Sequence, residues 1–256
     1  MKWPGNALVY MGFAALFLAS CFEPPVYSPI PAIEFESVSF VDVTNVSNPD
    51  SLILTIRFKD GDGDMGLDAN DPKDTLYPFQ ARTFFDTIPD SPLRYYYPGG
   101  VDDIYITYKT KRTNPNYDTL PAFVKPYNCI NWTIMAVNNK VDTFYYQRNP
   151  NHYNIFVDFL VKNNDGSFSE FDWTTEFAYP QCGLTFDGRF PILSKDAATN
   201  AALDGRIRYA MQSTGFMILF SIKTLKLRVT IQDRKLHKSN TIETPEFTLQ
   251  QIKKKG

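Results

Sequence analysis

The sequence predicts an all-β fold, an antiparallel β-sandwich with long loops and at most one or two short helices. Three observations lead there. Aromatic residues make up 15% of the 256-residue chain, and they stand in alternating runs with β-branched neighbours, the pattern of half-buried strands. The connectors between runs carry turn chemistry, as in Pro98-Gly99-Gly100, Asn149-Pro150-Asn151 and Asn163-Asn164-Asp165-Gly166. Helical spacing is scarce: residues 195–203 read as one local helix and residues 219–223 as one short turn.

The chain opens with Lys2 and an uncharged apolar run from Ala7 to Ala19. A run of that length is too short for a hydrocarbon core that takes ~20 residues and suits the apolar stretch of an export signal over residues 1–20. Leu18-Ala19-Ser20-Cys21 resembles a bacterial lipobox, which implies acylation of Cys21 and membrane anchoring through the acyl chains. Residues 21–33 then carry Pro24, Pro25, Pro29 and Pro31. Prolines this dense exclude a helix and give an extended tether.

Residues 34–250 are expected to form the sandwich, with a long insertion at about 73–126 and a basic tail at 251–256. Ile33 to Val43 and Leu52 to Phe58 alternate apolar and polar residues around the polar 45–48 stretch, so they form an antiparallel pair. Further strands are expected at Ile104–Tyr108, Trp132–Val137, Thr143–Gln147, Tyr153–Val161, Gly205–Met211 and Leu225–Ile231. A closing strand, Thr241–Leu249, returns beside the last of these through the polar turn Asp233–Asn240. Burying one face of so many short strands calls for a second sheet.

The stretch with the most chemistry is Asp60-Gly61-Asp62-Gly63-Asp64-Met65-Gly66-Leu67-Asp68-Ala69-Asn70-Asp71, directly after the second strand. Alternating Asp and Gly lets carboxylates converge on one point. The candidate metal ligands are Asp60, Asp62, Asp64, Asp68 and Asp71. All-oxygen ligands indicate a hard cation, and a flexible loop suits Ca²⁺ better than Mg²⁺. The spacing departs from an EF-hand loop: Met65 stands where its Gly belongs, and Asp71 where its Glu belongs. The alternative is a solvated acidic turn without metal, since Asp-Gly pairs are common hairpin connectors. Asp233 has two candidate roles, capping its own turn or reaching the acidic loop as an extra ligand.

The near-neutral formal charge of −2 gives nucleic acid or an anionic bilayer nothing to be drawn to. With only His152 and His237 in the chain, a His-dependent triad has one poor candidate, His152, and no nucleophile motif beside it. The expectation is a protein that is not an enzyme, with a carboxylate-only catalytic site as the alternative. In an exported chain Cys129 and Cys182 are expected to pair, which would contribute roughly 4 kcal/mol on the chain-entropy model; two buried free thiols are the alternative. Tyr95, Tyr96 and Tyr97 form a candidate ligand surface, because tyrosines bring large contact area at small entropic cost. A strand packing them inward is the competing reading.

The lipobox, the Pro-rich tether, the Phe58-to-Leu67 acidic stretch, and Leu227 to Asn240 followed by Glu243-Thr244-Pro245 together resemble a group of Bacteroidetes cell-envelope lipoproteins with Ig-like or fibronectin-like sandwiches. The resemblance implies a lipid-anchored protein of the cell envelope, in the outer membrane, more than it implies an activity. Two functions from different classes are expected on the residues themselves. One is a non-catalytic binding or assembly module docking on an outer-membrane protein, with Ca²⁺ stiffening the loop. The other is capture of a surface glycan or other substrate by the tyrosine-rich loops.

Overall fold

The computed structural model describes residues 26–43, 48–76, 78–85, 95–96, 130–137, 140–173, 185–193 and 201–254. The expected export signal, Cys21, Tyr97, Cys129, Cys182 and the strand at 104–108 lie outside them. The described residues form an all-β, antiparallel architecture with two short α-helices, as the alternation requires. One sheet joins β1 (Ala32–Val41), β2 (Asp50–Asp60) and β9 (Leu203–Ser213) in the order β1-β2-β9. A second joins β7 (Ile155–Lys162), β8 (Phe168–Glu170), β10 (Leu225–Ile231) and β11 (Ile242–Glu243) in the order β11-β10-β7-β8.

The core lies between these two sheets. β2 turns Leu52, Leu54, Ile56 and Phe58 inward, β10 turns Leu225, Leu227, Val229 and Ile231, and β7 turns Ile155, Val157 and Phe159. Each such side chain contributes about 1.5–3 kcal/mol by leaving water. One end of the core is aromatic. Helix α2 (Phe216–Phe220) buries Phe216 and Phe220, and Phe220 meets Phe171 edge-on at 4.9 Å while Phe159 stacks on it at 5.4 Å. Helix α1 (Pro72–Thr75) is the other helix, started by an Asp-Pro pair that the alternation alone did not expose.

The last segment fastens the sandwich shut. The Asn240 side chain accepts from the Ile33 amide at 2.8 Å and donates to the Ile33 carbonyl at 3.0 Å, as a neighbouring strand would. Residues 251–254 lie along β1: the Phe40 amide donates to the Ile252 carbonyl, the Lys254 amide donates to the Phe40 carbonyl, and Lys253 pairs with Asp42 at 2.5 Å.

The closing hairpin is shorter than expected. β10 pairs with β11 only at Arg228↔Glu243 and Val229↔Ile242, with an isolated bridge from Leu225 to Phe247. Pro245 has no amide for the ladder. The Thr244 hydroxyl substitutes locally, accepting from the Leu227 amide at 3.0 Å.

A third sheet is built from the middle of the chain. β3 (Arg82–Phe85), β4 (Tyr95–Tyr96), β5 (Ile130–Val137) and β6 (Lys140–Arg148) run in the order β4-β3-β6-β5. The backbone of Tyr95 and Tyr96 is therefore in a strand, opposite Phe85 and Phe84.

Candidate metal centre

Strand parity places the first carboxylate in the core. Asp60 continues the inward row Leu52, Leu54, Ile56 and Phe58, and it is 0% exposed. Among the described residues, neither of its oxygens has a hydrogen-bond partner. A carboxylate buried in this way costs several kcal/mol unless a positive charge compensates it.

Beyond Asp60 the chain turns back on itself. Gly63 at φ 69° and Gly66 at φ 102° take left-handed backbone that other residues adopt at a cost, and these two turns fold the loop around its carboxylates. The loop is anchored from below by Met65 and Leu67, at 0% and 4% exposure. Residues 185–193 hold it from the side: the Leu67 amide donates to the Phe190 carbonyl and the Leu193 amide to the Met65 carbonyl. Buried Asn154 fixes Phe190 in turn, accepting from its amide and donating to its carbonyl.

Asp60, Asp62, Asp64 and Asp233 converge, each offering an oxygen within 4.8 Å of the others. Such a cluster could hold a metal ion. Among the described residues, both oxygens of Asp64 and Oδ1 of Asp62 are also buried without a hydrogen-bond partner. Asp233 comes from the far end of β10, through the turn 233–240. Its two roles coexist: Oδ1 accepts from the His237 amide at 2.7 Å and Oδ2 from the His237 ring Nδ1 at 2.8 Å, while the carboxylate stays within the cluster. The turn carries a left-handed Leu236, φ 68°, and its Arg234 amide donates to the Asp64 carbonyl.

The electrostatics show a surplus of negative charge. Burial pushes Asp60 up to about 6, and the Asp62 charge adds to this; the Gly63 and Asp64 amides offset part of it without completing hydrogen bonds. Burial also pushes Asp64 up to about 7, with the charges of Asp233, Asp62 and Asp60 adding. Asp62 goes the other way: burial opposes its charge, but the hydrogen bond and charge of Lys235 hold it below the usual carboxylate range. Lys235 Nζ stands 2.5 Å from Asp62 and 3.8 Å from Asp64. Among the described residues, one ammonium group thus faces four carboxylates.

Asp68 and Asp71, expected as ligands, are not brought into the cluster. Asp68 accepts from the Asn70 amide at 2.8 Å, and Asp71 caps α1 by accepting from the Lys73 amide at 2.9 Å. Both are occupied by the backbone turns that close the loop. The next acid, Asp74, is fully buried and braces the site from behind, accepting from the Asp68 amide at 2.7 Å and from Arg234 at 2.6 Å. His152 is half-buried with its ring Nδ1 2.9 Å from the Phe79 carbonyl, a structural bond.

No family model matches the chain, and no curated protein or solved structure is significantly similar to it. Among the described residues no helix is long and apolar enough to cross a membrane.

Proposed function

We propose that this chain is an exported, lipid-anchored protein of the cell envelope. Its sandwich serves as a non-catalytic binding or assembly module, and one Ca²⁺ ion held by Asp60, Asp62, Asp64 and Asp233 stiffens the end nearest the tether. The observation that carries the metal reading is Asp60, a carboxylate at a core position with both oxygens unpartnered. Four converging carboxylates against one ammonium favour a divalent cation. Calcium suits them because Ca–O distances of ~2.4 Å let ligands lie up to ~4.8 Å apart across one ion, whereas Mg²⁺ takes a tighter octahedron and keeps its waters. The oxygens are turned into the fold, so an ion reaches them more readily than a substrate would, which supports a structural role. The lipid anchor is supported by Leu18-Ala19-Ser20-Cys21, and an outer-membrane protein is the proposed docking partner.

Thermal unfolding of the full-length protein in detergent, with millimolar Ca²⁺ or with chelator, tests the ion. The midpoint should rise with Ca²⁺, and Asp62→Asn with Asp64→Asn should abolish the rise. A midpoint that ignores Ca²⁺ removes the metal from the account. For the anchor, intact-mass measurement should find acyl chains on Cys21, and Cys21→Ala should release the protein from membranes.

A further inference from the structure

The acidic loop touches one segment that metal binding does not explain. Gly61, the residue joining buried Asp60 to Asp62, donates its amide to the Ser28 carbonyl at 2.7 Å. A Cβ at position 61 would lie 2.2 Å from the Tyr27 carbonyl oxygen and 2.7 Å from the Ser28 carbonyl. Only a glycine admits the tether this closely. The same stretch is held a second time through its side chain. Tyr27 donates its hydroxyl to Asp204 at 3.0 Å, and Lys59 Nζ sits 5.4 Å from the Tyr27 ring centroid. Lys59 and Asp204 are directly opposed in the β2–β9 ladder, so the ring lies over the strand pair that leads into the acidic loop. Ser28 then turns the chain, its hydroxyl accepting from the Ile30 amide at 3.0 Å, and Pro31 is buried.

We infer that residues 27–31 form a strap whose docking is governed by the ion, an inference that rests on the metal reading above. Among the described residues, the one main-chain bond between strap and loop is donated by the Gly61 amide, in the peptide between two ligands, to the Ser28 carbonyl. Without the ion, unscreened repulsion among Asp60, Asp62 and Asp64 loosens that peptide and the strap lifts. With the ion, Gly61 is fixed and the strap lies down, so the chain towards the N-terminus leaves the body at a set point. Ca²⁺ thereby sets how rigidly the sandwich is held on its tether.

Chymotrypsin cleavage after Tyr27, followed by mass spectrometry on the full-length protein in detergent, reads strap docking directly. Ca²⁺ alone should slow this cut roughly tenfold relative to chelator, the effect of about one hydrogen bond's protection. Gly61→Ala keeps every carboxylate yet collides with the strap, so its cut should be fast in both conditions while its unfolding midpoint still rises with Ca²⁺. Tyr27→Phe, which retains the cleavage site and loses only the Asp204 bond, should be cut faster than the parent protein in Ca²⁺ and serves if Gly61→Ala does not fold. A midpoint that rises with Ca²⁺ alongside an unchanged rate of cleavage overturns the strap and leaves the ion. A midpoint that does not move overturns both.

Discussion

Replacing Asp60 by Asn should stabilise the protein in chelator and destabilise it relative to the parent in Ca²⁺. The carboxyl is raised from 3.8 to about 6. A group raised on folding lends stability below its unfolded value and loses it as pH climbs through the folded value, so at pH 7 the full cost is present. At ~1.4 kcal/mol per unit the shift corresponds to about 3 kcal/mol. The cluster lies beside Lys235, whose side chain is 56% exposed, and screening there leaves about half, ~1.5 kcal/mol. Asparagine keeps the shape and removes the charge. In chelator its midpoint should therefore lie above that of the parent by roughly 3–6 °C, at ~2–4 °C per kcal/mol for a chain of this size. At ~100 times the dissociation constant, Ca²⁺ adds about 2.7 kcal/mol to the parent and little to the variant, which has lost its most buried ligand. The order of the two midpoints should then reverse by about 1 kcal/mol. Differential scanning calorimetry of both proteins in both buffers reads this. A variant less stable than the parent in chelator as well would refute the argument, because it would mean the Asp60 charge is already satisfied within the fold.

Three further outcomes follow from the same geometry. Lys235→Met removes an ammonium group competing for Asp62 and Asp64, so Ca²⁺ affinity by titration calorimetry should rise about tenfold at low salt, and the gain should shrink as salt screens it. Gly66→Ala should cost more than ~2 kcal/mol in urea unfolding, since the residue sits at φ 102° and its Cβ would lie 2.2 Å from the Pro191 carbonyl oxygen. Asp187, away from the metal cluster, is pushed up to about 6 by burial, with the charges of Asp158 and Glu170 adding against bonds from the Val157 amide and Thr185. Its contribution is therefore present below pH ~4 and lost as pH rises through about 6. The stability difference between Asp187→Asn and the parent should grow in favour of the variant across that window, by up to ~3 kcal/mol; a flat difference would show that Asp187 stays charged without penalty.

The strands were legible because period-two alternation is a local signal: Leu225–Ile231 is observed with the bounds expected, and β1 pairs with β2 as the 45–48 connection implied. The acidic loop was legible as a convergence of carboxylates, since alternate Asp and Gly constrain one another over a few residues. Its membership was not. Asp71-Pro72 is a helix start, with the carboxylate as cap and Pro at the first position, and reading it that way removes Asp71 from the ligand set. Asp233 reaches the cluster through pairing of β10 with β7 and the folding of the 233–240 turn onto Asp64, contacts between segments far apart in the sequence. Gly61 against Ser28 and Asp74 with Arg234 are likewise non-local contacts that no short window of sequence displays. Residues 241–249 promised a full strand, but Pro245 confined the ladder to two residues.

Calorimetric titration of Ca²⁺ into the full-length protein, its chelator removed, separates the ligand set suggested by spacing from the one assembled by the fold. The account expects one ion per chain in the parent and in Asp71→Asn, with binding lost in Asp233→Asn. Undiminished binding in Asp233→Asn, or its loss in Asp71→Asn, would contradict it.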